Sequence, residues 1–135
     1  MTSAATETRS VIVEREIHHP PEKIWRALTE PHLIEEWLMK NDFKPVAGHK
    51  FNLRGDWGAV DCRVLEIQPL RTLTFSWAAH GLESLVTWTL TPTSKGARLR
   101  MEHSGFRADQ EQFHQGAKMG WSNFFAKLEQ VLARE

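Results

Sequence analysis

Apolar and polar positions alternate through the middle of this chain, and the period changes near its end. Between about Asp42 and Ser104, Phe51 and Leu53 alternate with Asn52 and Arg54. Leu73, Phe75 and Trp77 alternate with Thr72, Thr74 and Ser76, and Val86, Trp88 and Leu90 oppose Thr87, Thr89 and Thr91. Ala97, Leu99, Met101 and His103 then oppose Arg98, Arg100, Glu102 and Ser104. A period of two is the signature of strands with one buried face. Gly55-Asp56-Trp57-Gly58, Gln68–Arg71, Ala78–Gly81 and Pro92–Gly96 punctuate the runs with turn residues. Connections this short predict an antiparallel meander with one face in water. From Ala59 to Ile67 the alternation blurs: Val60, Cys62 and Val64 share one face, while Leu65 and Ile67 fall on the other. A bulge and burial on both faces account for this equally well.

Ahead of the meander, Val11–Ile17 is β-rich and is stopped by His18-His19-Pro20-Pro21, because proline cannot donate to a ladder. Residues 1–9 lack periodicity and read as a frayed tail, leaving residues 10–135 as one domain. Pro20-Pro21 opens a short helix whose apolar side is Pro21, Ile24, Trp25 and Leu28. Glu30-Pro31 ends it and begins a second, with Leu33, Ile34, Trp37 and Leu38 as its stripe. Neither is long enough to be stable alone, so both must dock on a larger surface. After Ser104 the period becomes helical: Ala117, Trp121, Phe124, Phe125, Leu128, Val131 and Leu132 recur at intervals of three and four. Gly116 and Gly120 lower helix propensity, so this last helix is expected to begin near Gly116 or to bend there.

Composition narrows the partners more than the fold. The 135 residues carry 17 basic and 17 acidic side chains, a balance that implies no attraction to nucleic acid or anionic membrane. No stretch approaches the length of about 18 apolar residues that a membrane span needs, and the first residues lack a secretory core, so the expectation is a cytoplasmic protein. Cys62 is the only cysteine and reads as a small core residue. The seven histidines have no metal-ligand spacing, and no nucleophile elbow, phosphate loop or dinucleotide fingerprint is present, so neither a metal nor a cofactor is implied.

Strand, two short helices, antiparallel sheet and long C-terminal helix follow in the order of an α+β helix-grip fold: a curved antiparallel sheet of about six or seven strands around the last helix. At residue level, HPPEKIWRALTEPHLIEEWL, VLEIQPLRTLTFSW, TPTSKGARLRMEHSGF and GWSNFFAKLEQVL resemble bacterial single-domain members of the family related to the C-terminal domain of the Hsp90 ATPase activator. That family lies within the START and Bet v 1-like superfamily. The resemblance implies a cavity between sheet and last helix, a non-catalytic module that binds a small apolar or aromatic molecule, or alternatively a module that acts on a chaperone or another protein. The chain has no room for the separate chaperone-contacting domain of the eukaryotic co-chaperone, so that activity does not transfer with the fold.

Alternation nominates the inward residues of such a cavity: Leu53, Val64, Phe75, Trp77, Val86, Trp88, Leu99, Met101 and His103 from the sheet, with Trp37, Trp121 and Phe125 facing them from the helices. These side chains either surround a ligand or fill the space themselves. Trp25 reads as core, Trp37 as a residue near the opening, and Trp57 as a turn aromatic placed to act as a lid or simply exposed. His103 shares the inward face of Leu99 and Met101, where it either orients a ligand, serves as acid or base, or makes a structural hydrogen bond. An enzyme of cyclase, dehydratase or hydrolase type needs a partner for it, and Glu66 is the candidate if it shares the face of Cys62 and Val64.

Overall fold

The structure, a computed structural model, describes residues 8–56 and 58–134. Trp57 and the first seven residues of the expected tail lie outside the described residues. Strand β1 spans Thr8–Ile17, helix α1 Pro21–Thr29 and helix α2 Pro31–Trp37, followed by β2 (Lys40–Asn41), β3 (Lys50–Gly55), β4 (Gly58–Gln68), β5 (Thr72–Ala79), β6 (Leu82–Thr93), β7 (Gly96–Arg107) and α3 (Glu111–Arg134). The strands form one seven-stranded sheet in the order β1-β7-β6-β5-β4-β3-β2, and every pairing is antiparallel. Helix α3 packs on the inner face of this curved sheet and touches α1, α2, β1 and β7, which is the helix-grip arrangement. Strand β1 starts at Thr8, so Thr8 and Arg9 pair with Arg107 and Phe106 instead of belonging to the tail.

Pro21 and Pro31 do what their chemistry demands. Each occupies the start of a short helix, where its missing N–H has no intrahelical partner to lose, and Glu30 between them is extended at φ −96° and ψ 122°. Ile24, Leu28, Leu33 and Ile34 then enter the core with Leu128, Val131 and Leu132. Trp37 is buried, its indole N–H donates to the Ala27 carbonyl at 2.8 Å, and its ring meets Trp88 edge to face at 5.7 Å. It is therefore a core residue tying α2 to α1. The expected division of labour is reversed, because Trp25 is the half-buried one of the pair.

Two bulges decide which side chains reach the interior. In β4 the register against β5 slips between Val64 and Glu66, so Val64 faces Phe75 while Ile67 faces Leu73. Leu65 and Glu66 are consequently left on the exposed outer face, and the Glu66 carboxylate accepts from the Gln68 amide at 2.9 Å. In β7 the register against β1 slips at Gly105: Arg9 pairs with Phe106, but Ser10 pairs with Ser104. The extra residue turns both His103 and Phe106 inward, with ring centroids 4.6 Å apart. Gly105 has φ +108°, and a Cβ there would sit 3.1 Å from the Glu83 carbonyl oxygen and from the Ser84 Cα. Gly105→Ala is accordingly expected to cost about 1–3 kcal/mol from backbone strain and to displace Phe106. Urea denaturation reads the first effect, and an unchanged midpoint would show that the bulge does not constrain this position.

Helix α3 starts at Glu111, five residues ahead of Gly116, and continues through both glycines. The reason lies upstream: the Arg107 amide donates to the Gln110 side-chain oxygen at 3.0 Å, Gln110 reaches the Gly81 carbonyl, and the His114 ring meets the Ser10 carbonyl at 3.1 Å. These tertiary bonds secure the first turn despite a polar sequence. Cys62 is buried in β4, and burial, reinforced by Asp61 and Asp42, pushes its thiol well above the ordinary range. No helix among the described residues is long and apolar enough to cross a membrane.

Candidate functional site

A pocket of about 380 Å³ opens between the β5–β6 hairpin and the first half of α3. Trp77, Ala79, His80 and Leu82 form the hairpin side, His103 and Phe106 the floor from β7, and Met39 one end. Helix α3 supplies the facing wall through Gln112, Phe113, Gly116, Ala117, Gly120, Trp121 and Phe124. The spacing of Phe113, Ala117, Trp121 and Phe124 is that of one helical stripe, with Gln112, Gly116 and Gly120 beside it.

The hollow exists because α3 carries two glycines beside that stripe, where bulk would close it. A Cβ on Gly116 would meet nothing within 4 Å, and one on Gly120 would meet only the Phe124 ring edge at 3.9 Å. Neither glycine is needed for a tight backbone approach or a positive φ. Each nevertheless weakens the helix by about 0.5–1 kcal/mol relative to alanine.

His103 is the polar centre of the floor. The Trp121 indole N–H donates to its Nδ1 at 2.9 Å, so Nδ1 must be the unprotonated nitrogen. The neutral ring then carries its proton on Nε2, which lies 2.8 Å from Ser84 Oγ, and the Ser84 hydroxyl donates onward to the Trp77 carbonyl at 2.8 Å. Trp121, His103, Ser84 and Trp77 thus form a directional chain in which each of these donors has its acceptor. Burial pushes the imidazole pKa down from 6.5 to about 4, and protonating Nδ1 would set two N–H groups against each other. Glu66 takes no part, since the β4 bulge puts it on the opposite side of the sheet. With both ring nitrogens engaged, His103 is a fixed neutral wall of the pocket and offers no free base at neutral pH.

This arrangement has a sign-definite consequence for stability. Between about pH 6.5 and about 4 the unfolded chain takes up a proton at residue 103 that the folded chain refuses. The contribution of His103 is therefore full above pH 6.5, is lost as the pH falls through that window, and levels off below it. The whole step is on the order of 3 kcal/mol. Denaturation curves for the native chain and His103→Gln at several pH values isolate it; parallel profiles would contradict the buried neutral ring.

Of the residues that alternation nominated, Trp77, His103 and Trp121 line the pocket. Trp37, Leu53, Phe75 and Trp88 instead surround a void of about 10 Å³ further along the interior, too small for any ligand. Val64, Val86, Leu99, Met101 and Phe125 are buried among their neighbours and line neither space. Those nine positions are packed core: Trp88, for example, has Trp37, Trp121 and Phe125 all within 5.7 Å. Ser84 and Phe106 went unnoticed in the sequence, and Gly116 and Gly120 were read only for their effect on the helix, not as pocket residues. Ser84 shares the parity of Val86 and Trp88, and the glycines lie four apart beside the aromatic stripe, so a signal was present for these three. Among the described residues no group of three or more His, Cys, Asp or Glu side chains comes together as a metal site.

The family model for Activator of Hsp90 ATPase homolog 1-like protein matches residues 18–133. The chain belongs to this family. Family membership fits a ligand-binding module. A crystal structure of protein MLL2253 from Mesorhizobium loti is 60% identical, superposes with a TM-score of 0.91, and aligns over 93% of this chain and 98% of that one. CalU16 from Micromonospora echinospora is 27% identical with a TM-score of 0.82, over 93% of this chain and 77% of that one. DynU16, described as a putative protein in the dynemicin biosynthetic locus, is 26% identical with a TM-score of 0.83 and aligns with 92% of this chain but 47% of its own. Among curated proteins, none matches.

Proposed function

We propose that this protein is a non-catalytic module that binds a small, largely apolar aromatic molecule in the pocket between the β5–β6 hairpin and α3. The observation that carries this reading is the pair Gly116 and Gly120: two helix-weakening residues face a space that their own side chains would otherwise occupy. Packing does not require them, and an occupant would use the room they leave. A volume of about 380 Å³ is at the small end of ligand sites, which span roughly 300–1,000 Å³ and combine apolar walls with few polar groups. The relative from a biosynthetic locus is in keeping with a family fold used around small organic molecules.

The polar chain under the pocket supports binding over catalysis, because it spends the hydrogen-bonding capacity of His103 on holding the Trp121 ring in place. Trp77 and Trp121 both line the space, so occupancy is expected to change tryptophan emission. Titration with a panel of one- to three-ring aromatic compounds checks this. Saturable quenching or a blue shift, abolished in a pocket-filling glycine variant, is the expected result. A flat response across the panel would remove the reading.

A further inference from the structure

The chemistry of the pocket wall says which ligands it takes. Its described lining residues include no Lys, Arg, Asp or Glu; the polar ones are Gln112, His80 and His103. Positions 1–7, 57 and 135, which lie outside the described residues, contain no lysine or arginine, so no basic side chain is left to be added from them. His103 is neutral, and neither ring nitrogen is free: Nδ1 accepts from Trp121 and Nε2–H is directed at Ser84. The inner part of the pocket therefore has no cation, and the one indole N–H there that makes no hydrogen bond, that of Trp77, is an uncharged donor that supplies no counter-charge to an anion.

Gln112 and His80 are both exposed, at the mouth. The buried part of the lining includes Trp77, Phe106 and Trp121, with Trp77 and Trp121 inclined at 53° and 5.6 Å apart. A ligand carboxylate buried there would lose its hydration without gaining a counter-charge, and burying an unpaired charge is among the most expensive events in recognition. An uncharged ring loses nothing comparable and gains apolar and edge-to-face contacts.

Resting on the binding function proposed above, we infer that the pocket selects uncharged planar ligands, admitted ring first with any hydroxyl or carbonyl left at the mouth beside Gln112 and His80, and that it rejects carboxylates, fatty acids included. The selectivity lies in the wall itself and needs no specific contact to the excluded group.

Calorimetric titration at pH 7 with 2-naphthol, 2-naphthoate and dodecanoate, on the native chain and on Gly120→Leu, tests this. The two naphthalenes share a ring system and differ in charge. Expected are measurable binding of 2-naphthol, at least tenfold weaker binding of 2-naphthoate and of dodecanoate, and loss of 2-naphthol binding in Gly120→Leu. Equal or tighter binding of 2-naphthoate or of dodecanoate, lost in Gly120→Leu, would overturn the charge selection while leaving the pocket as a binding site. Binding that survives Gly120→Leu, or no binding of any of the three, would overturn the site and the selection together.

Discussion

Trp121→Ala lowers the stability of this protein by about 3–5 kcal/mol, the range for truncating a large buried aromatic, whereas Trp121→Phe costs about 1–3 kcal/mol, the range for orphaning one buried polar partner. The indole sits at the junction of the core and the pocket. It is 2% exposed, lies within 6 Å of the rings of Trp77, Trp88, His103 and Phe124, and donates the only described hydrogen bond to His103 Nδ1. Alanine removes all of these contacts and leaves a void that the sheet cannot close. Phenylalanine keeps most of the packing and removes the donor, so its smaller cost isolates the hydrogen bond. The second readout is spectroscopic. In the native chain the ¹⁵N signals of His103 are those of an Nε2–H tautomer, and in Trp121→Phe the Nδ1 nitrogen loses its donor and its resonance moves. Equal stability of the native and Trp121→Phe chains, with unchanged ¹⁵N signals, would show that the indole N–H does not hold the histidine.

The opposite behaviour is expected on the other side of the pocket. Gly116→Leu and Gly120→Leu retain or raise stability, since leucine is better than glycine in a helix by about 0.5–1 kcal/mol and the space beyond each Cα is open. Both lose ligand affinity by at least tenfold, because the added side chain occupies the room a ligand needs, with Gly120→Leu the more severe since Gly120 is the more enclosed of the two. A gain in stability coupled to a loss of binding is the mark of a residue retained for function at the expense of the fold. Chemical denaturation and fluorescence titration on the same samples read both quantities. A fall in stability of several kcal/mol in either variant would show that the pocket is collapsed in solution.

Architecture was legible in the sequence because each strand buries one face, so alternation reports directly on direction: Leu73-Phe75-Trp77, Val86-Trp88-Leu90 and Leu99-Met101-His103 all point inward as their spacing requires. The paired X-Pro starts of α1 and α2 were equally readable, since proline restricts the backbone locally. What alternation cannot report is a bulge. One extra residue at Val64–Glu66 sends Glu66 outward, and one at Gly105 brings Phe106 inward, and both depend on register with a neighbouring strand. Nor does facing inward say whether a side chain lines a space or fills it. Trp37, Trp88 and Phe125 are as inward as Trp77 and Trp121, yet they pack on each other, because the hollow is defined by what is missing from α3 at Gly116 and Gly120. His103 shows the same limit. Its face was evident, but its partners are a serine nineteen residues earlier and a tryptophan eighteen residues later, joined only by the folded sheet and helix.

The most direct test is a two-dimensional ¹H–¹⁵N NMR titration of the labelled protein with 2-naphthol, following the Gly116 and Gly120 amides and the indole N–H signals of Trp77 and Trp121. If this pocket is the ligand site, these signals shift together and saturate at one equivalent, while the amides of Leu53, Val64 and Leu99 in the packed core stay in place. Saturable shifts centred on another surface, or none at the two glycines, would contradict the account.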